Sequence, residues 1–243
     1  MVSENETRLF NKYDIECFDY TDYPHKGFWS ESMGDLEYRK ALVETFSTQH
    51  GPVTLYVHTP FCVELCYFCI CHKEITRNRE KIKGHVYGSL LPEFDLLNDH
   101  FERTGTRPNI TEVYLGGGSP TILDYAEFDA LLEKIRRFVP IEGLDRFNVE
   151  VDPRDVDEKR LRFYKSRGVS VISMGIQDFD LKVQEAVNRI QPFELVRERL
   201  RVARELFTSI NFDLLAGLPH QTEESMKKTV ELVVELAPDR ISF

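Results

Sequence analysis

Three cysteines, Cys62, Cys66 and Cys69, stand with three and then two residues between them in the run HTPFCVELCYFCIC. Three thiolates on one tight loop can hold three irons of a cubane cluster and leave the fourth iron open to a small molecule, an opening that four-thiolate ferredoxin spacings do not give. A structural zinc site is the competing chemistry. It usually shows two separated ligand pairs, and no second CxxC or histidine pair accompanies this loop. His58 and His72 flank the loop without metal-ligand spacing to a partner, and Cys71 lies only two residues past Cys69. Four of the five cysteines crowd into residues 62–71. Neighbours so close make poor disulfide partners, and an odd total suits a secreted framework badly, so a reducing compartment and metal ligation are expected.

A second set of residues with chemical potential sits at the ends of short β-rich runs. Gly116, Gly117 and Gly118 close the run TEVYLGGG; without side chains their backbone can approach a ligand closely, and a simple turn is the plain alternative. Glu150 lies near the end of RFNVEVDP, Gln177 at the end of VSVISMGIQ, and Asp213 inside INFDLLAGLP. In a parallel barrel the C-terminal ends of the strands carry the chemistry, so these polar groups are candidates for holding hydroxyls or a base; a solvated strand end or a helix cap is the alternative for each.

The elements that must position them read as strands alternating with helices. LYVHTPF is the first strand-like run, RISF opens a sixth, and helical patterns lie between. Asp124 with Glu127 makes a capping-box start, followed by the apolar stripe Phe128, Leu131, Leu132, Ile135 and Val139. A second stripe is Val196, Leu200, Ala203 and Phe207; a third, behind Thr222 as N-cap, is Met226, Val230 and Val233. Residues 81–100 form a helix interrupted by Gly84, Gly88 and Pro92. Alternation of this kind predicts a parallel sheet in an α/β fold. Residues 1–50 read as an irregular, aromatic-rich arm and a helix, and residues 51–243 as the α/β domain. A parallel sheet ending on a bare strand leads us to expect a truncated chain or a fragment.

The 243 residues, 42% hydrophobic, suffice for one full-sized core. A net charge of −10, from 41 acids against 31 bases, argues against nucleic acid or an anionic membrane as partner. No apolar run approaches a membrane span, and the start MVSENETRLF has neither the basic end nor the apolar core of a secretion signal, so a cytoplasmic location is expected.

Taken in order, VHTPFCVELCYFCICHK, YLGGGSPT, VEVDPR, SMGIQDF, VNR, FDLLAGLP and PDRISF resemble the radical S-adenosylmethionine (SAM) superfamily, and within it the oxygen-independent coproporphyrinogen III oxidase family, from about Tyr20 to the last residue. The resemblance implies a partial (β/α)6 barrel with parallel strands and a 4Fe-4S cluster on Cys62, Cys66 and Cys69. It further implies that SAM chelates the open iron and is cleaved to a 5'-deoxyadenosyl radical that abstracts hydrogen. It assigns Gly117, Gly118 and Ser119 to the SAM methionine, with Ser119 where the family has Thr, and Glu150, Gln177, Arg189 and Asp213 to SAM. Tyr56 is placed near the first SAM and Phe68 beside the cluster; core packing is the alternative for both. Two SAM molecules, a porphyrinogen substrate and an electron donor such as flavodoxin or ferredoxin are implied as well. Cys71 matches an extra cysteine that is not a cluster ligand and could act as a proton or hydrogen donor, a buried structural cysteine being the alternative. YTDYP matches a block that closes over substrate, and Lys73 and Arg77 could meet the substrate's propionates, a solvated basic surface being the alternative for both. Two rivals share this scaffold: a radical SAM methyltransferase and a haem-binding chaperone. Cys71 and YTDYP favour the oxidase.

Overall fold

Apolar residues alternate with polar or small ones along the long strands, which gives the sheet one face for the core and one for something else. The structure, a computed structural model, describes Thr7, Arg8 and residues 32–243. The YTDYP block, Cys17 and the rest of the expected arm lie outside the described residues. The chain divides into two compact units, Met1–Thr45 and Phe46–Phe243. Helix α1, Asp35–Thr48, is followed by strand β1 at Pro52–Thr59 and by two short strands, β2 at Phe61–Cys62 and β3 at Glu74–Ile75. Next come α2 at Arg79–His85, a π turn at Val86–Leu90, α3 at Leu91–Thr104 and β4 at Asn109–Gly117. The remainder is α4 (Tyr125–Arg136), β5 (Arg146–Val151), α5 (Glu158–Ser166), β6 (Val171–Gln177), α6 (Leu181–Ala186), α7 (Phe193–Leu206), β7 (Ser209–Leu214), α8 (Glu223–Leu236) and β8 (Arg240–Ser242).

Six strands form one sheet in the order β1-β4-β5-β6-β7-β8, every neighbouring pair parallel. This is the α/β architecture that the alternating runs predict. Register sets the two faces. Val57, Leu115, Val149, Ile172 and Ile210 sit on adjacent strands at no more than 3% exposure, facing the helices. The α4 stripe packs against that layer, with Phe128, Leu131, Leu132 and Ile135 buried and the Asp124–Glu127 capping box closed as expected. The opposite face is polar. Thr54, Glu112, Asn148, Ser173, Asn211 and Ser242, one from each strand, line a cavity of about 290 Å³ that the sheet wraps around.

Two details depart from the sequence reading. The interrupted helix over residues 81–100 runs instead from Arg79 to Thr104 with a π turn in its middle. Pro92 has no N–H to give the Gly88 carbonyl, and the backbone widens just before it, Leu91 N–H bonding Val86 O. The third apolar stripe is also rotated. The buried face of α8 is Ser225, Thr229, Val233 and Leu236, while Val230 is 41% exposed and Met226 only partly buried. Hydroxyls decide this face. Thr229 Oγ1 donates to Asp178 Oδ1 at 2.7 Å and accepts from Phe179 N at 3.1 Å, which turns the threonine inward.

Candidate functional site

The cysteine loop is built between two anchors. Its ends are joined by the β2–β3 pairing, Phe61 opposite Glu74 and Cys62 opposite Ile75, with Thr76 N–H bonding Cys62 O at 2.9 Å. Inside it, Cys69 N–H bonds Cys66 O at 3.1 Å, and Lys73 Nζ donates to Cys69 O at 2.7 Å and Cys71 O at 3.2 Å. Lys73 is thereby committed to the loop's own carbonyls, and Arg77 pairs with Glu64 at 3.2 Å. His58 Nε2 donates to the His72 carbonyl at 2.8 Å, which leaves Nδ1 to accept from the Tyr56 hydroxyl at 2.9 Å.

The three glycines at the end of β4, Gly116 and Gly117 within it and Gly118 just past it, each make room for a protein group. A Cβ on Gly116 would lie 2.9 Å from Glu150 Cδ, and one on Gly117, whose φ is +107°, 2.7 Å from the His58 ring. On Gly118 it would fall 2.5 Å from the Phe61 carbonyl oxygen. The tight turn therefore seats the loop and Glu150 on the sheet.

These elements enclose a cavity of about 250 Å³ at the C-terminal ends of the strands. Cys62, Cys66, Cys69 and Cys71 form one wall with Phe68 and Lys73. Gly118, Ser119, Glu150, Gln177, Arg189 and Asp213 form the others. Tyr56 and Gly117 stand one step back from this lining, Tyr56 half-exposed beside His58 and Gly117 beneath the same ring. Burial holds the Glu150 carboxyl above its usual range, against the hydrogen bond from Tyr114 Oη at 2.7 Å, and Asp213 adds to the rise. Burial likewise raises Asp213, although Asn211 Nδ2 donates to it at 2.8 Å. Gln177 holds a φ of +66° where β6 shifts register against β7, turning its side chain at the cavity edge.

Sequence reasoning passed over a buried ion-pair cluster. Asp152 accepts from Arg154 at 2.7 Å and from Arg189 Nη1 at 2.8 Å. Burial pushes Asp152 up, but Arg189 and Arg154 outweigh it and hold the carboxyl below its usual range. Both guanidiniums reach Cys66 Sγ, at 3.6 Å from Arg189 and 3.9 Å from Arg154. The VEVDPR block carried the available signal: an acid and a base just past a strand end on the face where such sites form.

The donor set suits an iron–sulfur cluster. Three thiols of one loop share a wall, with Arg189 Nη1 3.6 Å from Cys66 Sγ and Lys73 Nζ bonded to the Cys69 carbonyl. The Cys71 thiol and Lys73 draw Cys69 down to about 5, whereas burial and the neighbouring cysteines push Cys62 up to about 11, and the hydrogen bond with Cys69, then burial, raises Cys71. Arg189, in the opposite lining of the same cavity, has its Nε buried without a partner. Among the described residues no three His, Cys, Asp or Glu side chains converge as on a single ion.

The radical SAM superfamily model matches residues 56–233. This chain belongs to the radical SAM superfamily. Membership implies a 4Fe-4S cluster and SAM as cofactors. Among curated radical SAM proteins, the oxygen-independent coproporphyrinogen III oxidase of Pseudomonas aeruginosa is 35% identical over 237 residues, covering 96% of this chain and 50% of the relative. The enzyme of the same name from Escherichia coli K12 is 37% identical over 235 residues, 96% of this chain and 50% of its own length. The chain thus spans about half the length of these relatives. The solved structure of the Escherichia coli coproporphyrinogen III oxidase, described as a radical SAM enzyme, superposes with a TM-score of 0.81 at 35% identity, covering 97% of this chain and 52% of that one. A radical SAM methyltransferase from Kitasatospora setae, 17% identical with a TM-score of 0.53, shares the fold alone. No helix among the described residues is long and apolar enough to cross a membrane.

Proposed function

We propose that residues 51–243 are the catalytic barrel of a coproporphyrinogen III oxidase of the oxygen-independent type, with residues 1–50 as its N-terminal arm. The observation that carries this reading is the wall of three loop thiols facing Glu150, Gln177 and Arg189 across one cavity. The names of relatives 35–37% identical over 96% of the chain support the substrate class. Cys62, Cys66 and Cys69 would hold three irons of the cluster, with Phe68 packed beside it. Held there, the cluster would supply the reducing electron for cleavage of a SAM carbon–sulfur bond, and the carbon radical so released would abstract hydrogen. The chain's own residues do the positioning. The Ser119 hydroxyl and Gly118 edge the site for the methionine part of SAM, and the unpartnered Arg189 Nε suits its carboxylate. Glu150, fixed by Tyr114, suits the ribose hydroxyls. Tyr56 and Gly117 support this wall from behind through His58. Gln177, on the same lining, suits further SAM contacts, and Asp213 would serve a second SAM. Each propionate would lose a β-hydrogen, carbon dioxide and one electron to become a vinyl group. Cys71, on the cavity wall, is the thiol available as a proton or hydrogen donor. A cytoplasmic protein reduced by a flavodoxin or ferredoxin completes the reading.

Anaerobic reconstitution should give about one 4Fe-4S cluster per chain, lost in Cys66→Ala. Dithionite-reduced protein with SAM and coproporphyrinogen deuterated at the propionate β-carbons should place deuterium in 5'-deoxyadenosine. Stoichiometric zinc without iron, or a methylated porphyrin product, would overturn the proposal.

A further inference from the structure

Three consecutive residues after α6 reach the middle of the cysteine loop. Val187 O accepts from Tyr67 N–H at 3.0 Å, Asn188 Nδ2 donates to Leu65 O at 2.8 Å, and Arg189 Nη1 reaches Cys66 Sγ at 3.6 Å. Cys66 is bracketed by the first two bonds and touched by the third. The segment that makes them rests on a stiff base. Gln184 Nε2 donates to Asp178 O at 2.8 Å and Gln191 O at 3.1 Å, and its Oε1 accepts from Gln191 N–H at 3.0 Å, all in the interior.

Asn188 does two separable things. Its φ of +55° ends α6 in a left-handed turn. Arg189 N–H bonds Gln184 O at 2.9 Å and Asn188 N–H bonds Glu185 O at 3.2 Å, the paired bonds of a Schellman closure. Glycine would serve that backbone role at least as well. The side chain is not needed to end the helix, and it spans 123 residues of sequence to hold a loop carbonyl next to Cys66. We infer that Asn188 is a positioning residue for the iron–sulfur cluster, clamping the Leu65 carbonyl so that Cys66 stays on the cavity wall. This inference rests on the proposal that Cys66 is a cluster ligand. Tyr67 N–H on Val187 O fixes the loop on one side of Cys66, and the Leu65 clamp fixes the other, so its loss would let the central thiolate swing about the remaining anchor.

The test compares parent, Asn188→Gly and Asn188→Asp proteins, each reconstituted with iron and sulfide. Glycine keeps the turn and deletes the donor; aspartate keeps the shape and also lacks it. Both variants should lose iron to a chelator about five-fold faster than the parent, the loss of one well-made hydrogen bond. Their reduced clusters should show altered electron paramagnetic resonance g-values. The melting midpoint of metal-free Asn188→Gly should match the parent. Parent-like iron release and spectrum in both variants would refute the clamp while leaving the cluster assignment standing. A parent protein that binds no cluster would refute the assignment and the clamp together.

Discussion

Glu150 and Asp213 are partly buried carboxylates raised by desolvation, and Asp152 is a partly buried carboxylate lowered by two arginines. Their contributions to stability have opposite signs. A raised acid favours the fold below its unfolded pKa and loses that contribution as pH climbs through the folded value. Glu150→Gln should therefore raise the melting midpoint of the cofactor-free protein at pH 7, with the gain shrinking toward pH 4, while weakening SAM binding about ten-fold by calorimetry. Asp152 stabilises above the unfolded carboxylate range and ceases to as pH falls through its lowered value. Asp152→Asn leaves two largely buried guanidiniums short of their counter-charge, and should cost about 3 kcal/mol in urea titrations at pH 7. Parent and variant should converge in acid. Of these residues, Glu150 and Asp213 were legible because each falls within a strand-like run near its C-terminal end. The Asp152–Arg189 pair was not, since its partners are 37 residues apart and only folding brings them together.

At the level of elements, the six strands were readable in order because each is a β-rich run with a turn signal behind it. The β2–β3 pair was not, as two residues per strand leave no period to detect. The face of α8 was misread for a related reason: a hydropathy pattern scores Ser225 and Thr229 as outward, and hydrogen bonding turns them in. Thr229→Val tests this. Valine keeps the volume but leaves Phe179 N–H without its acceptor and takes one of two donors from Asp178 Oδ1, which keeps Asp180 N–H, at a cost of about 1–3 kcal/mol by denaturant unfolding. The 177–180 turn would loosen with it, so amide exchange there should quicken more than at β5.

Across the whole molecule, burial is uneven. Val149 in β5 and Ile172 and Met174 in β6 are fully enclosed, whereas all three residues of β8 are exposed. Native-state hydrogen exchange should therefore rank the amides, with β5 and β6 opening only in global unfolding and β8 opening locally at far lower free energy. Equal protection of β6 and β8 would contradict this picture. The six-stranded parallel order followed from the alternation of runs. Of the cavity at the strand ends, Glu150, Gln177 and Asp213 were legible; of the cavity along the other face, only Asp213 was.

The polar inner face of the sheet also bears on how such a protein can change over generations. A closed eight-stranded barrel fills its interior with branched aliphatic side chains, so almost any inward substitution there is paid for in stability. Here the aliphatic residues of the strands lie on the helix-facing side, and Thr54, Glu112, Asn148, Ser173 and Asn211 stand around open space. Inheritance of the scaffold and invention of new specificity thus act on alternate residues of the same strands. A library randomised at Thr54, Glu112 and Asn211 should yield mostly folded members, while one randomised at Leu115, Val149 and Ile210 should yield few.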